Sequence, residues 1–442
     1  MAIYLGLGSN RGDRRENLRL ALTRLESESV DVVRVSPVVE SPALLPPDAA
    51  PDWNSPYLNL VAECRSSLSP DALLDALKQI ERSLGRTDVR RWAPRPIDID
   101  ILLFDDALIA DEKLTIPHAA LSRRPFVLTP LSALAPGLTI AGTGRTALEL
   151  NAELNLRIPL WMGIINLTPD SFSDGGAHQT WPDVEALVDE MTAAGAHILD
   201  FGAESTRPGA TALTAAEEWS RLEPTLSAVI DKYRGDALGP KISVDTYHAG
   251  VAAKAIALGV DIINDVGGLQ QPDMIELAAG SEIEIVAMHN LGLPADPDVT
   301  LPTDSSAVDQ IEDWLDARLD AWRRAGLRTD RIVFDPGIGF GKNPLQSLEL
   351  LRGIDRLNDR GLRLLVGHSR KSFMKRFAGA ANDERDLVTI GASMALIERG
   401  VDILRVHDVP GHAAAYRGWA HMRQSKESCR SSGEPDVVSR PR

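Results

Sequence analysis

The sequence predicts a mixed α/β protein in two unlike domains, a ferredoxin-like α-β sandwich (α+β) followed by a TIM (β/α)8 barrel (α/β). Three observations carry this. At 442 residues the chain exceeds one typical domain. Residues 1–140 give strand and helix signals in the order β-α-β-β-α-β. From Pro159 onward, about eight short apolar runs alternate with amphipathic stretches over roughly 260 residues, the repeat that a (β/α)8 barrel needs.

In the first domain, residues 3–7 form an apolar, strand-like run, and 13–26 have helical spacing. Residues 30–39 and 57–64 read as strands, separated by the Pro-rich loop 42–56. Ser69 is a suitable N-cap for a helix over 70–84, because its hydroxyl accepts from an orphan amide while Pro70 takes the first helical position. Residues 97–104 are the next strand, and 118–136 a short appendix. The stretch 137–156, with Gly142-Thr143-Gly144, has little patterning and carries the link. The expected division is 1–138 for the first domain, 139–158 for a linker and 159–424 for the barrel. Residues 425–442, rich in Ser, Pro and charge, form a disordered tail.

The barrel strands are expected at 160–165, 197–201, 241–244, 261–263, 283–288, 331–334, 362–366 and 402–406. Nearly all end on polar residues, namely Asn166, Asp200, Asp245, Asn264, His289, Asp335, Ser369 and His407. The carboxyl ends of barrel strands are where active sites gather.

Composition narrows the partners. A formal net charge of −16 argues against nucleic acid or an anionic membrane, which require a basic face. Cys64 and Cys429 give no disulfide framework, which fits a reducing compartment. With no signal-peptide pattern and no bilayer-length apolar run, the cytoplasm is the expected location.

The chemistry is densest in RWAPRPIDIDILLF at 91–104. Strand side chains alternate, so Asp98 and Asp100 share a face about 7 Å apart, with isoleucines on the other. Two carboxylates that close are unfavourable without a cation. Arg82, Arg86, Arg90, Arg91 and Arg95 crowd the same region. Hard oxygen ligands suit Mg²⁺ and guanidinium forks suit phosphate, which points to Mg-ATP and phosphoryl or pyrophosphoryl transfer. In the barrel, NLTPDSFSDGG at 166–176 suits a substrate-covering lid, and ESTRPG at 204–209 suits an anionic group. DPGIGFGK at 335–342 lets the backbone approach a flat ligand. GHSRKS at 367–372 and RVHD at 405–408 place cations at the last two strands. Asp245, Asn264 and Asp335 together suit the donor edge of a nitrogen heterocycle, with Lys371 nearby.

These residues carry two resemblances. Residues 1–136, with LGLGSNRGD, PYLN, RWAPRPIDIDILLF, IPH and RPFVLTPL, resemble 6-hydroxymethyl-7,8-dihydropterin pyrophosphokinase. Residues 159–422, with GIINLTPDSFSDGG, LDFGAESTRPGA, ISVDT, IINDVGG, FDPGIGFGKN, VGHSRKS and RVHDV, resemble dihydropteroate synthase. The resemblance implies a bifunctional enzyme of folate biosynthesis. Its small-molecule partners would be ATP, 6-hydroxymethyl-7,8-dihydropterin and p-aminobenzoate, and a homodimer through the barrel is possible.

For the kinase half, the resemblance implies two Mg²⁺ held by Asp98 and Asp100. It implies Trp92, Arg95, His118, Arg124 and Glu81 along ATP, with Arg86 and Arg95 offsetting charge. Tyr57 and Phe126 would sandwich the pterin, with Asn59 and Pro42 beside it. For the synthase half it implies pterin held by Asp245, Asn264, Asp335, Lys371, Met288 and Phe340. Asn166, Arg405 and His407 would take pyrophosphate, with a third Mg²⁺ at Asn166. Phe172, Thr206, Arg207, Pro208 and Ser372 would shape the p-aminobenzoate site, and Asp174 belongs to the catalytic set. Ala93 stands where the kinase family has glycine, and the loop 85–92 is about one residue shorter than in some relatives. Asn290 and His368 also depart from the synthase pattern, at the expected pocket rim. The alternatives are one half reduced to a pterin-binding scaffold, or a barrel that transfers methyl groups to a corrinoid protein. Complete motifs in both halves argue against the first, and the lid, STRPGA and SRKS segments argue against the second.

Overall fold

The structure, a computed structural model, describes residues 1–46, 49–87, 92–167, 181–204, 212–296, 298–377 and 382–423. It contains two compact units, Met1–Leu154 with the chain end from Ala415, and Asn155–Ala414.

The first unit follows the order β1 (Ala2–Ser9), α1 (Arg14–Ser27), β2 (Val30–Val35), β3 (Val39–Ser41), β4 (Tyr57–Ser66), α2 (Pro70–Ser83) and β5 (Asp98–Phe104). The strands form one antiparallel sheet, ordered β2-β4-β1-β5, with β3 also paired to β4. This is the expected ferredoxin-like arrangement. Asp13 caps α1 by accepting from the Glu16 amide, and Ser69 caps α2 with proline in its first turn. The strand expected over 30–39 breaks at Ser36-Pro37. Proline has no amide to give a ladder, and the Ser36 hydroxyl accepts from the Val61 amide instead (2.9 Å).

Helices α1 and α2 lie against β1 and β5, covering the face that buries Ile3, Leu5, Ile99 and Ile101. The opposite face is closed by what the sequence presented as an appendix and a linker. The hairpin β6 (Ile109–Ala110) and β7 (Thr115–Ile116) leads into helix α3 (Pro125–Leu134). A second hairpin, β8 (Thr139–Ile140) with β9 (Arg145–Thr146), then leads into helix α4 (Ala147–Ala152). Leu128, Leu131, Ile140, Ala147 and Leu150 join Tyr4, Val61 and Leu102 in one apolar cluster. Thr146 and Glu149 form a reciprocal capping box on α4. The linker expected at 139–158 is thus regular structure as far as Ala152. Short apolar helices show little periodicity, so their packing role is invisible locally.

The second unit is a closed parallel barrel. Its strands are β10 (Leu160–Asn166), β11 (Ile198–Gly202), β12 (Lys241–Asp245), β13 (Ile262–Asp265), β14 (Glu284–Met288), β15 (Ile332–Asp335), β16 (Arg363–Val366) and β17 (Ile403–Val406). They lie within a few residues of the eight expected. β10 pairs with both β11 and β17, so no strand edge is left open. The intervening helices are α5 (Trp181–Ala193), α6 (Ala215–Tyr233), α7 (Ala249–Leu258), α8 (Pro272–Ala279), α9 (Ala307–Arg324), α10 (Pro344–Arg352) and α11 (Asn382–Glu398), with α12 (Val409–Arg423) following β17. Barrel strands are buried on both sides, which is why they read as unbroken apolar runs. No helix among the described residues is long and apolar enough to cross a membrane.

If α3 closes the sheet, Leu128→Ala, at a fully buried position, costs about 2–5 kcal/mol. Amide-exchange protection is expected to fall in β1, β4 and β5 while the barrel strands keep theirs. Unchanged protection would return α3 to a peripheral role.

Candidate functional site

In the first unit the site grows from the pairing of β1 with both neighbours. Gly8 lies opposite Asn59 on one side and Asp98 on the other, and Gly6 opposite Val61 and Asp100. Directly opposed residues share a face, so the two glycines leave a trough between the β5 carboxylates and the β4 side chains. A Cβ on Gly8 would sit 3.1 Å from Asn59 Oδ1 and 3.5 Å from the Tyr57 ring. Asn59 donates to Ser41 Oγ (3.0 Å), beside Pro42. Half-buried Phe126 packs on the α3 cluster, with the Arg124 guanidinium 5.7 Å from its ring centre.

The carboxylates differ sharply. Arg86 Nη1 lies 2.5 Å from Asp98 Oδ1 and Arg95 Nη1 3.3 Å from Oδ2. Burial alone would raise the Asp98 pKa, but Arg95 and Arg86 overcome it and hold the group below the ordinary range. Asp100 is pushed up to about 6, by burial first and then by the Asp98 charge. His118 Nε2 is 3.9 Å from Asp100 Oδ2. Its Nδ1 accepts from the Ala120 amide, so the neutral ring carries its proton on Nε2, toward the acid. A hard-oxygen pair in which one member resists ionising fits Mg²⁺. Trp92 adopts a left-handed φ of 71° beside buried Ala93.

One expected nucleotide residue and one neighbour take part in the walls of the site. Glu81 is 1 % exposed, and its Oε1 accepts from the Ile99 amide (2.8 Å), Lys78 (2.9 Å) and Arg86 (2.5 Å). It is a wall group that anchors Arg86, behind the guanidinium that faces Asp98. Asn10, given no role in the sequence, clasps the Arg95 backbone by donating to its carbonyl and accepting from its amide (2.8 Å). A buried asparagine in a glycine-rich strand end was the available signal. Arg82 is exposed, and Arg90 and Arg91 lie outside the described residues.

At the carboxyl ends of the barrel strands, Asp200 is the hub. It is fully buried, accepts from Ser243 Oγ (2.6 Å) and Asn264 Nδ2 (3.0 Å), and pairs with Arg405 Nε (2.6 Å). Arg405 Nη2 also reaches Asp245 (2.7 Å). The Asp245 pKa is raised to about 7 by burial, with Arg405 opposing and Asp200 adding to the rise. Asp335 is raised by burial, and its Oδ1 accepts from the Gly337 amide (2.7 Å). Lys371 Nζ stands 4.1 Å from the centre of the half-buried Phe340 ring. Ser369 Oγ is 2.9 Å from His407 Nδ1. Asn166 ends β10, Met288 is buried at the end of β14, and Ser372 is exposed at the start of the 3-10 turn Ser372–Arg376.

The expected rim position of His368 is corrected. The ring is fully buried, with Nε2 3.0 Å from Ser393 Oγ, which in turn meets His412 Nε2 at 3.0 Å. It faces α11 and α12, and burial then His412 bring it down to about 4. Asn290 braces its loop by donating to the Val266 carbonyl (2.7 Å). Lys342, missed as more than a turn lysine, is buried, with Nζ 2.6 Å from His289 Nδ1 and donating to the His289 carbonyl. Burial drives its pKa well down. Phe172, Asp174, Thr206, Arg207 and Pro208 lie outside the described residues.

Residues 4–136 match the family profile of 7,8-dihydro-6-hydroxymethylpterin-pyrophosphokinase, and 162–407 that of pterin binding enzymes. A folate synthesis bifunctional protein of Chlamydia caviae is 36% identical over 439 residues, covering 94% of this chain and 98% of that protein. A mitochondrial folate synthesis bifunctional protein of Arabidopsis thaliana is 34% identical, covering 96% and 84%. Among solved structures, Xanthomonas albilineans dihydropteroate synthase with 4-aminobenzoic acid aligns with TM-score 0.55 at 35% identity, covering 60% of this chain and 94% of that one. Dihydropteroate synthase from Anaplasma phagocytophilum with bound 6-hydroxymethylpterin-monophosphate aligns with TM-score 0.54 at 35% identity, covering 60% and 98%.

The turn that presents Asp335 depends on Gly337. Its φ is 66°, and a Cβ there would lie 1.9 Å from the His289 carbonyl oxygen. Gly337→Ala is expected to lose about 1–3 kcal/mol from backbone strain alone, and more from the clash. Gly144→Ala, at φ 67° with nothing within 4 Å, should show only the strain. Equal melting shifts in the two variants would contradict this.

Proposed function

The chain belongs to the bifunctional folate synthesis family, and from that premise we propose how its residues divide two consecutive reactions. The first transfers pyrophosphate from ATP to 6-hydroxymethyl-7,8-dihydropterin. The second condenses the resulting pyrophosphate ester with p-aminobenzoate, giving 7,8-dihydropteroate and pyrophosphate.

In the first reaction the pterin hydroxyl oxygen attacks the β-phosphorus of ATP, and AMP leaves. Asp98 and Asp100 would hold Mg²⁺, two ions on the family's pattern, which supply charge neutralisation along the triphosphate. Arg86 and Arg95 would take up the charge that moves with the pyrophosphoryl group. Trp92, His118 and Arg124 would line ATP, while Tyr57, Phe126, Asn59 and Pro42 would hold the ring over the trough. Catalysis here is positioning and electrostatics, since the nucleophile needs little covalent help. The observation that carries this reading is the acid pair itself. Its members share one face, one is held low by two arginines, and the other is raised to about 6.

In the second reaction Asp245, Asn264 and Asp335 would accept from the amino and ring N–H groups of the pterin, with Lys371, Met288 and Phe340 around it. Departure of pyrophosphate leaves positive charge on the methylene, conjugated to the ring, and the arylamine nitrogen bonds to that carbon and sheds a proton. The carboxylates favour that charge, while Arg405, His407 and Asn166 favour the leaving anion, with Mg²⁺ at Asn166 on the family's pattern. Phe172, Thr206, Arg207, Pro208 and Ser372 would hold p-aminobenzoate, and Asp174 would act with the catalytic set. The reading places all of this in the cytoplasm.

One chain should therefore form dihydropteroate from the pterin alcohol, ATP, Mg²⁺ and p-aminobenzoate. Asp98→Ala should abolish that product, and adding the pterin pyrophosphate should restore it in full. Normal pyrophosphoryl transfer by the variant would remove the metal assignment. Because Asp100 loses its negative charge as pH falls through about 6, the Mg²⁺ needed for half-maximal kinase rate should climb below that pH. Asp100→Asn should show no such limb. Lys371→Ala should lower synthase turnover about 10²-fold or more with little change in melting temperature. A collapse in stability would instead make the lysine structural.

A further inference from the structure

Two successive βα units converge on a group of side chains that neither reaction uses. Glu204 follows β11, Glu218 sits in the first turn of α6, and His248 occupies the N-cap position of α7 without capping it. One ligand atom from each lies within 4.8 Å of the others. Glu218 is 1 % exposed, and its Oε2 accepts from Thr246 Oγ1 (3.0 Å) and lies 2.8 Å from His248 Nδ1. Glu204 Oε1 accepts from the Tyr247 hydroxyl (2.8 Å). Its Oε2 is buried and has no hydrogen-bond partner among the described residues.

We propose that Glu204, Glu218 and His248 bind one divalent transition-metal ion of the zinc type, at a site separate from the Asp98–Asp100 pair and from the pterin carboxylates. Two carboxylates with one imidazole form a nitrogen-and-oxygen set that favours Zn²⁺, Co²⁺ or Mn²⁺ over Mg²⁺, which prefers oxygen alone. Ligand atoms around a tetrahedral ion with bonds of about 2.0–2.1 Å stand roughly 3.4 Å apart. The three atoms already lie within 4.8 Å of one another. The ion takes the place of the hydrogen bond between His248 and Glu218, and its two charges offset both carboxylates. Thr246 and Tyr247 already orient the carboxylates from behind, as outer groups at metal sites do.

The test uses the full chain carrying Asp98→Ala and Asp100→Ala, so that the other acid pair cannot contribute, stripped of metal with a chelator. Co²⁺ is titrated by its visible d–d absorption and Zn²⁺ by calorimetry. One equivalent is expected, with a tetrahedral-type Co²⁺ spectrum. Adding His248→Ala or Glu218→Gln should weaken Zn²⁺ binding at least tenfold. The His248 side chain is 24% exposed, so its replacement leaves the fold intact, as circular dichroism can verify. His248→Cys should retain binding and add a thiolate-to-cobalt charge-transfer band. Binding that His248→Ala leaves unchanged, or no bound equivalent at all, would overturn the site and leave the group as a hydrogen-bonded pair.

Discussion

Each proposed reaction centre is built on acids placed closer together, and in less water, than their charges favour. On β5 the strand period sets Asp98 and Asp100 on one face, and Arg86 and Arg95 settle only the first of them. At the barrel mouth Asp200 and Asp245 are bridged by a single guanidinium, that of Arg405. Like charges in low dielectric raise one another's pKa until a cation intervenes. Asp100 near 6 and Asp245 near 7 are the residual tension of that arrangement. On the proposed reading a divalent ion would relieve it at the first site, and a cationic, donor-rich ring would do so at the second.

The surrounding shells keep those acids in place. Glu81 Oε1 takes the Ile99 amide, Lys78 and Arg86, so the guanidinium facing Asp98 is itself held from behind. Asn10 clasps the backbone of Arg95. In the barrel, Ser243 and Asn264 saturate Asp200, and the Gly337 amide orients Asp335. Buried polar groups left without partners are costly, so such shells fix geometry as much as they add stability. The buried chain of His368, Ser393 and His412 follows the same rule away from the pockets. His412 donates from Nδ1 to the Asp408 carbonyl, so its Nε2 accepts from Ser393, which accepts from His368.

Much of this was legible in the sequence because period-2 alternation and the βα repeat are local properties. The eight barrel strands, the capped helix after Ser69 and the shared face of Asp98 and Asp100 follow from spacing and side-chain chemistry alone. The family resemblance then attached named substrates to motifs that spacing had already marked as chemical. Residues whose meaning is a distant contact were not legible. Glu81 looks like any helical glutamate, His368 like a rim substituent, and 139–152 like a linker.

By itself the sequence determined the two domain types, the acid pair and the polar ring at the strand ends, because each depends on neighbours within a few residues. Only the tertiary structure decided which carboxylates stay charged, which of them anchor arginines, and that α3 and α4 close the first sheet. Those outcomes depend on burial and on partners up to 205 residues away, as between Asp200 and Arg405. Desolvation and pairing are set by the fold around a side chain, and no local pattern encodes them.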